Sequence, residues 1–418
     1  MQAKSKACNT VLLDAPYFER AIRKSRHRFS LPVLLLRMAG DDPGLRMKLL
    51  EFVDVLPALY SPREICGHFT ELVASGEGTV PTLLRLVSRL FALPGMEYGA
   101  ARALVWLIYE KLAPHFMVGD ETTLASLKKG YKKEGARISV DFLGESVTSE
   151  REARHFLELY RSAIQNGGGS PKEPFHVSVK LSSLYPFFSP ENYAESKRRV
   201  SLSLSELLCL AEKYHAFVTV DAEQYAFRHL VEDIFCEVVS QECFKRTELV
   251  GIALQAYRRD AFASAIRLVE TARTRGAPFL IRLVKGAYWD TEVALAAQNN
   301  WPVPLFTKKE ETDRNFERVF TFLACHWKTL YVSPATHNPE SIAYVRGIMD
   351  GLGLLSDAHL MFQVLYGLGE PVRKALCKEG LPVLVYVPVG AMAEGMAYCA
   401  RRILENTSND GFLRRLLG

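Results

Sequence analysis

Short apolar runs alternate with longer amphipathic segments from about residue 135 onward. Each run is rich in Val, Ile, Leu or Phe, as expected of strands that are covered on both faces. The intervening segments have helical periodicity, for example at 150–164 and 193–214. Because such alternation is typical of parallel strands joined by right-handed crossovers, it predicts a parallel sheet. The eight predicted strands are Arg137–Phe142, His176–Leu181, Ala216–Asp221, Val250–Ala256, Phe279–Val284, Leu330–Pro334, Leu360–Leu365 and Val383–Val387.

Eight strand–helix units predict an α/β fold, a (β/α)8 TIM-type barrel that occupies residues 131–418. Residues 1–130 form an all-helical N-terminal region, with helices expected at 45–59, 82–93 and 100–112. An open doubly wound sheet is the alternative. It requires a glycine-rich turn after the first strand, and none follows Phe142.

Composition and charge describe a globular chain of 418 residues with 48% hydrophobic and 24% charged residues. The formal net charge of +5 is small for this length, so we expect no nucleic-acid partner. The longest apolar run, Leu31–Leu36, is much shorter than the roughly 20 residues that a membrane span requires.

The eight cysteines include no CxxC pair, and the ten histidines include no HxxxH pair. We therefore expect neither a metal site nor a redox motif. Scattered cysteines in a large chain indicate reduced thiols, so the expected location is cytoplasmic.

Polar residues stand at the carboxyl end of each predicted strand, where barrel enzymes carry their chemistry. We interpret Asp141 as a cap or turn former. A buried lysine and a buried aspartate are costly unless they are paired with each other or with a ligand, so Lys180 and Asp221 are interpreted as functional. The other candidates are Gln255, Arg282, Lys285, Tyr288, Thr336, His337, Gln363, Tyr366 and Tyr386.

A predicted helix at 391–406 follows the eighth strand and places Tyr398, Arg401, Arg402 and Glu405 three or four residues apart. An arginine pair can grip a carboxylate. From spacing alone, a face that binds a ligand and an ordinary salt-bridged surface are equally good interpretations of this helix. With Lys180 as a further cation and tyrosines as walls, the residues describe a site for a small carboxylate with an apolar body. These residues do not indicate which reaction the site catalyses.

Nine segments make the chain similar to the proline dehydrogenase family, and in particular to the proline dehydrogenase part of the bifunctional proline utilization A flavoenzymes. Two of them are specific: Ile281–Asp290 (IRLVKGAYWD) and Tyr398–Asn406 (YCARRILEN). The others are Val140–Glu145, Val179–Ser183, Val220–Glu223, Leu254–Tyr257, Ala335–Asn338, Phe362–Pro371 and Tyr386–Gly390.

The resemblance implies a non-covalently bound FAD across the carboxyl rim of the barrel. It assigns residues to the flavin, with Arg282 near N5, and others to the remainder of the cofactor. The first group is Gln255, Arg282, Val284, Lys285, Gly286, Ala287 and Trp289, and the second is Thr307, Lys309, Thr336, His337, Asn338, Gln363 and Glu405.

The implied substrate is L-proline, whose carboxylate Arg401, Arg402 and Lys180 would hold. The ring would pack against Leu283, Tyr288, Tyr386 and Tyr398, with Asp221 holding the polar framework in place. Hydride transfer to flavin N5 would give Δ1-pyrroline-5-carboxylate, the first step of proline catabolism to glutamate. Cations near the substrate would favour the neutral amine that donates hydride.

The resemblance also implies a membrane quinone as electron acceptor, with peripheral contact at the inner face of the membrane. The aldehyde dehydrogenase half of the bifunctional relatives does not follow in this sequence. We therefore expect either a separate pyrroline-5-carboxylate dehydrogenase downstream or a chain that is one part of a longer protein. The N-terminal helices are candidates for a homo-oligomer contact.

Two other functions are considered. A Schiff-base lyase would use Lys180 or Lys285 on the barrel scaffold, and it would be colourless. A non-catalytic DNA-binding or partner-binding protein would use the basic cluster at 23–28, and its DNA binding would be sensitive to salt.

Overall fold

The computed structural model describes residues 16–21, 48, 51–53, 55–74, 88–89, 93, 95–144, 147–391, 395 and 398. These residues fall into two compact units. Of the described residues, the first unit comprises 16–21, 127–144, 147–365 and 369–387, and the second comprises 48, 51–53, 55–74, 88–89, 93, 95–126, 366–368, 388–391, 395 and 398.

The first unit contains a closed barrel in which eight strands follow one another in chain order. The registers between neighbouring strands are parallel, for example Val177 beside Val218 and Ile252 beside Ile281. The closed barrel confirms the predicted fold and excludes the open doubly wound sheet. The strands are β1 (Ala136–Phe142), β2 (Phe175–Val179), β3 (Ala216–Val220), β4 (Val250–Gln255), β5 (Leu280–Val284), β6 (Tyr331–Ala335), β7 (Phe362–Leu365) and β8 (Val383–Val389).

Helices alternate with the strands, and each has an apolar face. On α5, for instance, Val200, Leu204, Leu207 and Leu208 are buried. A side-chain cap begins α4, where Ser149 accepts a hydrogen bond from the Glu152 amide. The helices of this part of the chain are α3 (Glu121–Lys133), α4 (Glu150–Asn166), α5 (Tyr193–Tyr214), α6 (Arg228–Val239), α7 (Ala261–Arg275), α8 (Trp289–Gln298), α9 (Lys309–Ala324), α10 (Pro339–Gly351) and α11 (Glu370–Lys378).

The barrel interior holds small polar side chains, whereas the outer faces of the strands are aliphatic. Val177, Val179, Val218 and Val220 are fully buried on the outer side of β2 and β3. On the inner side, Ser139 of β1 and Ser178 of β2 lie with their hydroxyl oxygens 3.4 Å apart. Small inner residues leave room in the barrel for long polar side chains from other strands.

The second unit contains the helices α1 (Pro62–Ala74) and α2 (Glu97–Trp106), which pack together and are linked by a contact from the Cys66 thiol to the Glu97 carbonyl. A π-helical segment, Leu107–Leu112, extends α2. Helix α1 lies within the predicted all-helical region, between two of the helices expected there. Pro62 occupies its first position, where proline is compatible with a helix start.

Several sequence predictions lie outside the described residues. They include most of the helix at 82–93, the basic cluster at 23–28 and the greater part of the helix at 391–406. None of the helices in the described part of the chain has both the length and the apolar character of a membrane-spanning segment.

Candidate active site

A buried ion cluster lies at the carboxyl ends of the barrel strands. The Lys180 ammonium contacts the Asp141 carboxylate and lies 3.4 Å from Asp221 Oδ2. Arg282 Nη1 donates to Asp221 Oδ1 at 2.6 Å, and Tyr386 Oη donates to Asp221 Oδ2 at 2.8 Å. The cluster thus joins side chains from β1, β5 and β8 to residues that directly follow β2 and β3, and Asp221 is its centre.

The charges of this cluster balance, since two cations face two carboxylates. Burial opposes the charge of Lys180, but the carboxylates of Asp141 and Asp221 outweigh it and raise the pKa of the amine well above its ordinary value. Burial, reinforced by both carboxylates, also raises the pKa of the Tyr386 phenol well above its usual range. At neutral pH the site therefore contains a protonated lysine and a protonated tyrosine.

The turn that follows Lys180 is fixed from two sides. The Tyr160 hydroxyl accepts a hydrogen bond from the Lys180 amide at 3.2 Å, and Ser183 Oγ donates to the Lys180 carbonyl at 2.7 Å. On the other side, the Glu223 carboxylate accepts from both the amide and the hydroxyl of Ser182. These buried bonds hold the Lys180 backbone in place while its side chain reaches the carboxylates.

Arg282 and Gln363 each have one polar atom with no hydrogen-bond partner among the described residues. Arg282 uses Nη1 for Asp221 and Nη2 for the Ser178 hydroxyl at 2.8 Å, which leaves Nε unpaired. Gln363 donates to the Ser333 hydroxyl at 2.9 Å, and its Oε1 is unpaired. Because a buried unpaired polar atom costs about 1–3 kcal/mol, this donor and this acceptor are suited to a bound molecule.

A second group of charges surrounds Asp313 on α9. Its carboxylate pairs with the Lys285 ammonium, and its Oδ2 lies 2.6 Å from Lys309 Nζ. The Asn338 side-chain amide approaches the same oxygen at 3.4 Å, and Lys285 also donates to the Ser341 hydroxyl at 3.0 Å. Three elements meet here: the loop after β5, helix α9 and the start of α10.

The family model described as proline dehydrogenase matches residues 124–415, which is more than half of the chain. The chain belongs to the proline dehydrogenase family. A second model, the proline utilization A N-terminal domain, matches residues 14–106.

The curated relatives include long and short members of the proline dehydrogenase family. The chain is 30% identical over 326 residues to the bifunctional protein PutA of Escherichia coli strain K12, covering 73% of this chain and 24% of that protein. It is 29% identical over 304 residues to proline dehydrogenase 1 of Bacillus subtilis strain 168, covering 72% of this chain and 89% of that protein. The chain thus spans about a quarter of the bifunctional relative and most of the Bacillus protein.

Solved structures of the same family agree with the fold. The proline utilization A structure from Bdellovibrio bacteriovorus, inactivated by N-propargylglycine, has a TM-score of 0.85 and 29% identity. The match covers 98% of this chain and 42% of that one.

Several residues that the proline dehydrogenase resemblance assigns to the cofactor make defined contacts within the first unit. The Gln255 side chain donates to the Glu223 carbonyl at 3.0 Å. His337 Nε2 accepts from the Leu365 amide at 3.0 Å, and Asn338 caps the start of α10. Other residues assigned to the cofactor lie at the same rim: Val284 and Ala287 lie in or after β5, Trp289 begins α8, Thr307 precedes α9, and Thr336 follows β6.

Gly286 has a packing reason to be glycine. Its φ is +143°, and a Cβ at this position would lie 2.4 Å from ring atoms of Tyr257. A side chain is therefore excluded by the protein itself, before any cofactor is considered.

Leu283 does not share a face with the site. Strand alternation places it opposite Arg282, on the outer side of β5, and it is fully buried there. By the same alternation Leu365, two residues after Gln363, is on the inner face of β7, beside Tyr386 in register. We propose Leu365 in place of Leu283 as the leucine that faces the substrate.

The arginine pair that was predicted to hold the proline carboxylate is not described by the structure. Arg401, Arg402 and Glu405 lie outside the described residues. Tyr398 is described and buried, and it belongs to the second unit.

Three acidic residues at the barrel rim were missed by sequence reasoning. Asp141 was interpreted as a turn former, but it lies in β1 and pairs with Lys180. Its spacing of two residues from Ser139 was the available signal for an inward position. Glu223 and Asp313 gave no comparable signal, because their partners come from distant parts of the sequence. The described residues contain no group of three or more His, Cys, Asp or Glu side chains that could hold a metal ion.

Proposed function

We propose that this chain is an FAD-dependent proline dehydrogenase that oxidises L-proline to Δ1-pyrroline-5-carboxylate, the first step of proline catabolism. The observation that carries the proposal is the buried cluster of Lys180, Asp221, Arg282 and Tyr386 at the barrel rim, in a chain of this family. Each of these four residues stands in a segment that the chain shares with the family.

The residues at the rim fit FAD. Arg282 Nε is a buried donor without a partner among the described residues, and a contact with flavin N5 requires such a donor. Gln363 Oε1 is a buried acceptor that likewise has no partner among the described residues. Lys285 and Lys309 supply the positive charge that suits a diphosphate. When bound, FAD supplies the acceptor for the hydride that leaves the proline ring carbon beside nitrogen. The other residues proposed to hold it are Gln255, Val284, Gly286, Ala287, Trp289, Thr307, Thr336, His337, Asn338 and Glu405.

The proline carboxylate is proposed to bind Arg401, Arg402 and Lys180. An ammonium has three N–H donors, and Lys180 directs two of its contacts to Asp141 and Asp221, so one donor is available for a substrate. Tyr288, Tyr386, Tyr398 and Leu365 are the proposed contacts of the apolar ring. Asp221 acts here as the positioning centre, because it orients Lys180, Arg282 and Tyr386 together.

The site must bind proline with a neutral amine, because an ammonium is a poor hydride donor. Lys180 and Arg282 are balanced by Asp141 and Asp221, so the proposed arginine pair would give the site a net positive charge. A positive site lowers the pKa of the substrate ammonium and favours its deprotonation. Lys180 itself holds its proton too tightly to act as the base.

The further fate of the electrons and the product is also proposed from the family. A membrane quinone is the proposed final acceptor, which would require contact with the membrane surface. A pyrroline-5-carboxylate dehydrogenase, either separate or joined to this chain, would then oxidise the product.

The Schiff-base alternative requires a neutral lysine as nucleophile. Lys180 does not meet this requirement, since its two carboxylate contacts keep it protonated. Burial lowers the pKa of the Lys285 amine, so Lys285 is the remaining candidate for this alternative, although it pairs with Asp313 and Ser341.

An absorption spectrum of the purified protein tests the proposal. We expect flavin absorption in the visible range that is bleached by L-proline under anaerobic conditions and unchanged by lactate, a hydroxy acid of similar size. A colourless protein that borohydride traps covalently on a carbonyl substrate would overturn the proposal in favour of the lyase.

A further inference from the structure

The charges around Asp313 form a distinct feature of the rim. We use the name Asp313 cluster for Asp313, Lys285, Lys309, Asn338 and Ser341. None of them contacts Asp221 or Lys180 through a hydrogen bond in the described structure. The feature is unexpected beside a site for a diphosphate, because a carboxylate repels an anion.

The Asp313 carboxylate contacts donors from three different elements of the fold. Asp313 Oδ1 contacts the Lys285 ammonium, whereas Oδ2 receives Lys309 at 2.6 Å and Asn338 at 3.4 Å. One carboxylate thus fixes donors from the loop after β5, from α9 and from the start of α10. Without it, two ammonium groups would face each other and repel.

The charge of Lys285 depends on its neighbours. Burial lowers the pKa of this amine, and the nearby Lys309 lowers it further. Asp313 and Glu317 of α9 oppose the decrease, and Glu340 of α10 acts on Glu317. The Lys285 amine also lies 5.6 Å from the centre of the Phe316 ring. Asp313 is the acid that touches the amine directly, so it has the largest influence that a single substitution can remove.

We infer that Asp313 is a positioning residue that keeps Lys285 charged and aims Lys285, Lys309 and Asn338 at the phosphate-bearing part of FAD. The inference rests on the proposed function, because that proposal supplies the ligand. The carboxylate reduces the local charge of the cluster from two to one, and in return it favours the charged form of Lys285 and holds both lysines in place.

The test measures the dissociation constant of FAD by flavin fluorescence on dilution of the holoprotein, at about pH 7 and about pH 9. Asp313→Asn should weaken FAD binding by about tenfold at the lower pH, as expected for the loss of a charged hydrogen bond. It should weaken binding further at the higher pH, because Lys285 then loses its proton more readily. Wild-type binding should change less between the two pH values.

Two further variants separate positioning from general damage. Asp313→Glu keeps the carboxylate and should restore most of the affinity and the pH profile. Glu310→Gln removes an exposed acid from the first turn of the same helix and should behave as wild type.

The outcomes distinguish the inference from the proposed function. A wild-type protein that binds FAD together with an Asp313→Asn variant whose affinity matches Glu310→Gln at both pH values would overturn the inference alone. Tighter FAD binding by Asp313→Asn would overturn it as well, since repulsion by the carboxylate would then dominate. A wild-type protein without affinity for FAD would overturn the proposed function and the inference with it.

Discussion

Arg282 and Asp221 form an ion pair inside the barrel, with Nη1 and Oδ1 separated by 2.6 Å. Arg282 lies in β5 and Asp221 directly follows β3, so the pair spans β4. The second guanidinium nitrogen reaches Ser178 on β2, which confirms that the side chain crosses the interior. Because both Nη atoms of the guanidinium group are hydrogen-bonded, the direction of the remaining Nε–H is fixed. The pair therefore aims the donor that we propose for the flavin.

The first prediction concerns this pair. Asp221→Asn keeps the shape of the side chain but leaves Arg282 and Lys180 with one compensating carboxylate instead of two. Breaking a buried pair in this way should reduce the free energy of unfolding by about 3–5 kcal/mol. It should reduce kcat/KM for proline on the order of a hundredfold, since three site residues lose their common partner. Urea unfolding and steady-state kinetics measure the two effects.

A surface pair serves as the control. Asp233→Asn removes the carboxylate partner of Arg267 on the outer helices, where both side chains are partly exposed. Exposed pairs contribute about 0–1 kcal/mol, so this variant should keep nearly wild-type stability and activity. Equal losses in both variants would contradict a special role for Asp221.

The second prediction concerns Arg401 and Arg402, the arginine pair proposed to bind the proline carboxylate. Arg401→Met or Arg402→Met removes one charged contact with the substrate carboxylate. The loss should weaken proline binding by about 2–5 kcal/mol while the bound FAD largely remains. Proline titration of the flavin spectrum measures both quantities at once. Unchanged proline affinity in both variants would show that the carboxylate binds elsewhere.

Sequence periodicity located every strand of the barrel within two residues at either end, as for β3, predicted at Ala216–Asp221 and observed at Ala216–Val220. The reason is physical: strands buried on both faces are apolar runs, and polar residues mark where they end. The same rule identified Lys180, Asp221 and Arg282, because a long charged side chain at such an end must find a partner.

That rule could not predict contacts between segments that are far apart in the sequence. Asp313 follows Lys285 by 28 residues, and only the closed barrel brings α9 against the loop after β5. Leu283 was assigned from the motif around it, although its alternation with Arg282 already indicated the opposite face. Asp141 was misinterpreted because a lone acid at the end of a strand is common in turns, and its partner Lys180 directly follows the next strand.

The third prediction concerns Gly286. Gly286→Ala forces a side chain into a backbone with φ of +143° and within 2.4 Å of the Tyr257 ring. Strain and overpacking each cost about 1–3 kcal/mol, so we expect a loss of at least about 2 kcal/mol in the free energy of unfolding. Gly276→Ala is a matched control, because φ is +79° there and nothing lies within 4 Å of the added Cβ. Similar losses in the two variants would show that backbone conformation alone is responsible.

The last prediction concerns His176, which is buried against Phe217 at 5.1 Å between ring centroids and has no partner for either ring nitrogen among the described residues. Burial, with Arg137 and Arg282 nearby, lowers its pKa from 6.5 to about 3. The unfolded chain therefore binds the proton first, and stability falls as the pH drops below 6.5, by up to about 1.4 kcal/mol per pH unit. His176→Phe should flatten this acid dependence in urea unfolding, whereas the exposed His155→Asn should not. Parallel pH profiles for wild type and His176→Phe would disprove the assignment.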